Sequence, residues 1–269
     1  MSLQSLKGIV AGVFFLLAGC GGTAEVPEAA PDLGPQGGST KGTGGMNGLS
    51  PIAYHANITA LLSALGVAAV DPNDTSAVSP AVEATGLLAT SGGQEVFKYA
   101  AQCALSTETE IESGTRVYSG GGILTTTAPW VTKGLTTAQK EDVLTCMIAH
   151  LNPLGATVPI FLSGPSVAGA ESSDAGDFDV AEAIWQAKIP GPGQAPIYYA
   201  WPRGNLLNVC GLLTTVSWIS RLCGSAVNTC GMRVRYDSST VCTGSDGSFS
   251  CNGRPAIQTS LEASALCLL

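Results

Sequence analysis

Five carboxylates fall within twelve residues, at Glu171, Asp174, Asp177, Asp179 and Glu182. Acids this close can hold calcium or divide general-acid and general-base work between them. Their spacing matches no EF-hand loop, Asp179 with Glu182 three residues on also reads as the cap of a short helix, and acids among Gly and Ser read as a solvated loop. His55 and His150 are the two histidines. His150 follows Cys146 by one helical turn, which invites a metal reading, but no Cys-x-x-Cys accompanies it. The alternative is a partly buried structural histidine whose cation suits a helix C-terminus. Neither histidine lies beside a candidate nucleophile, and there is no Gly-x-Ser-x-Gly, His-Glu-x-x-His, Walker loop or dinucleotide fingerprint. We therefore assign no catalytic, cofactor-binding or metal-binding residue. Trp185, Tyr198, Tyr199, Trp201 and Trp218 are concentrated in 34 residues of a chain with 6% aromatics. Exposed aromatics serve glycan-binding and protein-binding surfaces, although core filling uses the same residues. Strand alternation places Tyr198 and Tyr199 on opposite faces.

The elements that must position these side chains are mainly helical before Asn152 and mainly extended after it. Ile52, Ile58, Leu61, Leu62 and Leu65 form an apolar stripe that stops at Gly66, and Ser79-Pro80 caps a second helix. A third helix is expected over residues 94–105. Residues 109–112 and 115–118 alternate around Ser113-Gly114 as a hairpin. Thr136 and Gln139 resemble a capping box, and Val143, Leu144, Met147, Ile148 and Leu151 form the core face of the following helix until Asn152-Pro153. Residues 158–162, 181–189 and 197–201 read as strands, the second with a short helix as an alternative, followed by short strands over 232–236 and 256–261.

At the N-terminus, Lys7 precedes an apolar run from Gly8 to Leu17, and Leu17-Ala18-Gly19-Cys20 closes it. This arrangement resembles the lipobox of bacterial lipoprotein precursors, with Lys7 as the n-region and Ala18 and Gly19 as the small residues at the cleavage site. The resemblance implies removal of residues 1–19 and lipid attachment at Cys20, which makes the membrane a partner through that lipid. Gly21 stands where an Asp would retain such a protein in the inner membrane of some bacteria, so the outer membrane is the expected location. Residues 20–50 carry the lipidated Cys and a Gly/Pro-rich stretch that reads as a flexible tether with a reach of about 30 Å.

Composition suits this address. The chain has 12 Lys plus Arg against 20 Asp plus Glu; without residues 1–19 the basic count falls to 11, about nine net negative charges. Arg233 and Arg235 are the densest basic pair, so nucleic acid is excluded as a partner. Charged residues are only 12%, about half the usual share. Eight cysteines remain beside Cys20: Cys103, Cys146, Cys210, Cys223, Cys230, Cys242, Cys251 and Cys267. An even remainder favours disulfides. Cys103 and Cys146 are the natural pair for tying helix to helix, and Cys242 can meet Cys251 across a short loop. Six cysteines allow fifteen connectivities, so the pairing among the last six stays open.

The order of Tyr99-Ala100-Ala101-Gln102-Cys103, Gly120-Gly121-Gly122, Ala128-Pro129-Trp130, Cys146 to Asn152, Val158 to Gly164 and the closing cysteine run is similar to a group of myxobacterial cysteine-rich lipoproteins. The likeness spans residues 48–269. It implies one envelope-attached folded unit and transfers no activity. The expected architecture is α+β, with a helical and mixed part over 51–200 packed on an antiparallel sheet and a disulfide-stapled, loop-rich part over 201–269. The expected function is a lipid-anchored envelope protein with a binding or structural role, its glycan or protein ligand at the aromatic patch. The alternative is a periplasmic or surface hydrolase that uses Glu171, Asp177, Asp179 or Glu182.

Overall fold

A computed structural model of the chain describes residues 41–152, 157–171, 178, 180–203, 231–244 and 248–262. The best-specified helix is α4 (Thr137–Ala149). Thr136 accepts from the Gln139 N–H and Gln139 Oε1 accepts from the Thr136 N–H at 3.0 Å, forming the expected capping box. Every residue from Val143 to Ala149 is buried. Helix α1 (Pro51–Ala64) starts on Ser50, with proline in the first turn where a missing N–H costs nothing. It buries Tyr54, Leu61 and Ala64, whereas Ile52 is 59% exposed. Ile52 therefore leaves the expected stripe: two residues before Tyr54, it sits about 200° around the helix from that face. The short α2 (Pro80–Glu83) is capped by Ser79 as expected, and α3 (Ser91–Ala104) by Thr90.

The strands are β1 (Lys41–Asn47), β2 (Val70–Asp71), β3 (Asp74–Val78), β4 (Glu110–Ser113), β5 (Arg116–Ser119), β6 (Val158–Ser163), β7 (Ala170–Glu171), β8 (Val180–Lys188), β9 (Ile197–Pro202), β10 (Met232–Val234), β11 (Cys242–Thr243), β12 (Phe249–Cys251) and β13 (Arg254–Leu261). The small sheet runs β2-β3-β4-β5 and the large one β10-β9-β8-β13-β6-β1-β7, with β12 joining β11 to β13. In the large sheet only the β9–β10 pairing is parallel. The remaining helix, α5 (Ser238–Val241), leads into β11. Helices packed on antiparallel-rich sheets make the fold α+β. The hairpin is β4–β5, closed by Gly114 and Thr115, one residue later than expected. Gly114 takes φ 60° there, a left-handed value glycine adopts without penalty.

The tether reading fails over residues 41–47. Those residues form β1, which lies between β6 and β7, pairing Thr43 with Leu162 and Asn47 with Val158. Two of the glycines that suggested a linker are there for space. A Cβ on Gly42 would sit 2.3 Å from the Leu162 carbonyl oxygen, and one on Gly45 would come within 3.1 Å of His150 Nε2. Backbone ladder bonds need no apolar side chain, so composition conceals this strand.

The large sheet is covered on both faces. Ala183, Trp185, Ala187, Tyr198, Ala200 and Ile257 join the main core with the helices, while Ile184, Trp201, Phe249, Cys251 and Ala256 form a second cluster on the other face. Polar contacts lock these layers. The Ala187 N–H donates to Thr145 Oγ1 of α4 at 2.9 Å, and Gln186 Nε2 donates to the Cys251 carbonyl at 2.9 Å on the opposite side. Two neighbouring glycines test the packing around α3. A Cβ on Gly93 would lie 1.8 Å from the Leu87 carbonyl oxygen, whereas one on Gly92 meets ordinary contacts beginning at 3.4 Å. Gly93→Ala is expected to cost about 1–3 kcal/mol by forcing the backbone apart. Gly92→Ala is expected to gain up to about 1 kcal/mol through helix propensity. Urea denaturation of the two variants checks this, and shifts of the same sign would refute it.

Candidate functional site

The first constellation joins helix to helix. Cys103 of α3 and Cys146 of α4 form the expected disulfide, with both residues fully buried. His150 caps α4 one turn later, and its Nδ1 lies 2.8 Å from the Cys146 carbonyl oxygen. Both sulfurs and an imidazole nitrogen lie within 4.8 Å of one another. The S–S bond removes both thiolates, leaving one imidazole where a structural zinc site takes four donors. Burial lowers the His150 pKa to about 4, against the opposing pull of the Cys146 carbonyl. The imidazole is therefore neutral at pH 7 and carries its proton on Nδ1, the nitrogen facing a carbonyl. The expected partly buried cation is corrected to a fully buried neutral ring, because desolvation outweighs the helix dipole.

Of the acidic stretch, Glu171 and Glu182 fall among the described residues. Glu171 lies in the two-residue strand β7, and Asp174, Asp177 and Asp179 fall outside the described residues. Glu182 is fully buried in β8, so the strand reading of this segment holds and the alternative of a helix cap with a short helix does not. Its placement follows from the register. Thr259 pairs with Ala183 but Ser260 pairs with Ala181, leaving Glu182 as the extra residue of a β-bulge. A bulge re-aims a side chain, and Glu182 Oε2 here accepts from Thr259 Oγ1 at 2.7 Å while Thr259 accepts from Trp185 Nε1 at 2.8 Å. A carboxylate held this way ties two central strands together and is not presented to solvent, as attack on a polymer requires.

The aromatic group divides between core and surface. Trp185, Tyr198 and Trp201 are buried, and Trp218 lies outside the described residues. The Tyr198 hydroxyl meets that of Tyr54 at 3.2 Å, and burial pushes both phenols above their ordinary pKa. Tyr199, on the opposite face as alternation requires, remains half-buried and stacks on Trp201 with ring centroids 5.5 Å apart. The parallel register of β10 on β9 sets Arg233 beside Tyr199, its guanidinium 5.9 Å from the ring centroid. Arg235 forms a salt bridge with Asp237, which also accepts from Trp201 Nε1 at 3.0 Å. The Arg235 contact, followed by the Trp201 donor, holds the Asp237 carboxyl below its usual range. The result is a row running Arg233, Tyr199, Trp201, Asp237, Arg235, with both arginines exposed.

Sequence reasoning weighed Arg233 and Arg235 only as a nucleic-acid footprint. Their alternation with Val234 already placed them on one face, but only the pairing of β10 with β9 brings that face to Tyr199. On the same face, in the cluster that holds Trp201, Cys242 is bonded to Cys251. Cys210, Cys223, Cys230 and Cys267, like Cys20, lie outside the described residues. Compared with family models, curated proteins and solved structures, the chain matches none.

Proposed function

We propose that this chain is a lipid-anchored binding protein of the bacterial cell envelope, held in the outer membrane through Cys20, whose half-buried Tyr199 and exposed Arg233, backed by the buried Trp201, take a glycan. The observation that carries this reading is the half-buried Tyr199 stacked on Trp201 beside an exposed Arg233. An aromatic surface accepts the apolar face of a sugar ring, and a guanidinium offers five N–H donors to hydroxyls and carboxylates at its rim. The two disulfides among the described residues support an oxidising compartment. Among the described residues no helix is long and apolar enough to cross a membrane, so attachment in this reading depends on the acyl chains.

The test combines fractionation with polysaccharide co-sedimentation. Full-length protein is expected in membranes with acyl mass on Cys20, and Cys20→Ser in the soluble fraction. Bound to insoluble envelope polysaccharide, the double variant Tyr199→Ala, Arg233→Gln is expected to be about tenfold weaker than the parent. An unmodified Cys20 would overturn the anchoring, and undiminished binding by the double variant would overturn the site.

A further inference from the structure

A second site lies far along the fold, where α3 faces the β4–β5 hairpin. A cleft of about 300 Å³ opens there, lined by Glu95 and Lys98 of α3 and by Arg116, Val117 and Tyr118 of β5, among others. That volume is at the small end of the range for organic ligands. The chain carries a formal charge of −8, yet two exposed cations, Lys98 and Arg116, meet at this cleft. Among the described residues the salt bridges are those of Arg235 with Asp237 and Arg254 with Glu141, so neither cation is neutralised by an ion pair. The carboxylate on the same wall is engaged elsewhere: Glu95 Oε1 accepts from the Ser50 N–H at 2.9 Å, at the start of α1.

Tyr118 supplies the independent observation. It is 3% exposed, packed edge-on against Phe97 with centroids 4.8 Å apart, and its Oη is buried without a hydrogen-bond partner among the described residues. A buried hydroxyl left unsatisfied costs about 1–3 kcal/mol, and native structures rarely keep one without a reason. Burial raises the Tyr118 pKa while Arg116 pulls it back, so the guanidinium lies within electrostatic reach of Oη. Tyr118, Arg116 and Lys98 thus line one cleft, together with Val117, which is 54% exposed.

We infer that this cleft binds a small organic anion, its oxyanion group taken by Arg116, Lys98 and the Tyr118 hydroxyl and its carbon part laid on Val117. Charge-assisted bonds to a guanidinium and an ammonium carry the affinity. The tyrosine hydroxyl, which no acceptor among the described residues uses, donates the third bond. A carboxylate and a phosphate share this chemistry and are told apart by titration.

The experiment is calorimetric titration of the full-length protein in detergent at low salt, with sodium butyrate in one arm and inorganic phosphate in the other. At least one probe is expected to bind with a dissociation constant on the order of 1 mM or tighter; binding of butyrate alone identifies a carboxylate, and binding of phosphate alone a phosphate. Arg116→Gln is expected to weaken that binding about tenfold and Tyr118→Phe about fivefold. Tyr118→Phe should leave the melting temperature of the unliganded protein unchanged or higher, because the hydroxyl it deletes has no partner to lose. A protein that binds neither probe, variants that bind as the parent does, or a Tyr118→Phe variant that melts well below the parent would each overturn the proposal.

Discussion

Replacing both Cys103 and Cys146 with alanine is expected to lower stability by about 4 kcal/mol. The bond joins residues 43 apart in sequence, so its loss returns a large closed loop to the unfolded ensemble. Removing Cys242–Cys251, which spans a separation of 9, should cost about 2.7 kcal/mol by the same chain-entropy relation. Both cysteines of the first pair are fully buried between α3 and α4, so alanine there leaves an apolar gap and no new unsatisfied polar atom. For a folded unit of this size the loss corresponds to about 8–16 °C in melting temperature. Urea denaturation followed by tryptophan fluorescence, with the slope compared between variants, measures it. An equal cost for the two bonds, or a loss below about 1 kcal/mol for Cys103–Cys146, would show that native packing already holds these helices together.

Acid is expected to act on the same part of the core through His150. Its imidazole is fully buried and its folded pKa is lowered to about 4, first by desolvation. The unfolded chain binds the proton near pH 6.5, so between pH 6.5 and about 4 the unfolded state carries more protons and stability falls with pH. Above pH 6.5 the group is neutral in both states and contributes no pH dependence. The depressed pKa corresponds to about 3 kcal/mol lost on passing from pH 6.5 down through 4. The ring packs against Tyr99, with centroids 5.5 Å apart, and close to Gly45 of β1. His150→Gln keeps a donor for the Cys146 carbonyl and cannot titrate. Its stability profile should be flatter than the parent's in that window, with the acid loss due to carboxylates left in both. Parallel profiles would refute a buried neutral histidine.

Much of the helical layer was legible because its signals are local. Thr136 and Gln139 lie within one turn of each other, and the apolar period of residues 143–151 names its own face. The pairing of Cys103 with Cys146 followed from two helices that each placed a cysteine near the core. Strands β6, β8 and β9 were visible as apolar or aromatic runs bounded by Gly and Pro. What escaped was carried by backbone. In β1, Gly42, Gly44 and Gly45 have no side chains to signal a strand, and Gly42 and Gly45 let the Leu162 carbonyl and the His150 ring come close. Glu182 escaped for a related reason. A one-residue slip in the β8–β13 register decides its direction, and no residue type encodes that slip.

The sequence by itself determined the elements whose cause lies within a few residues: caps, helix faces, the hairpin and an even set of cysteines. It also carried the leader-like run that ends at Cys20. Only the tertiary structure decided which polar and aromatic groups are available for binding. Tyr198 and Tyr199 are adjacent in the chain, yet the sheet buries the first against Tyr54 and leaves the second beside Arg233. Lys98 and Arg116 acquire a common cleft only because the β4–β5 hairpin folds back on α3. The physical reason is that burial and charge pairing depend on long-range packing between distant segments, whereas capping and periodicity depend on near neighbours along the chain.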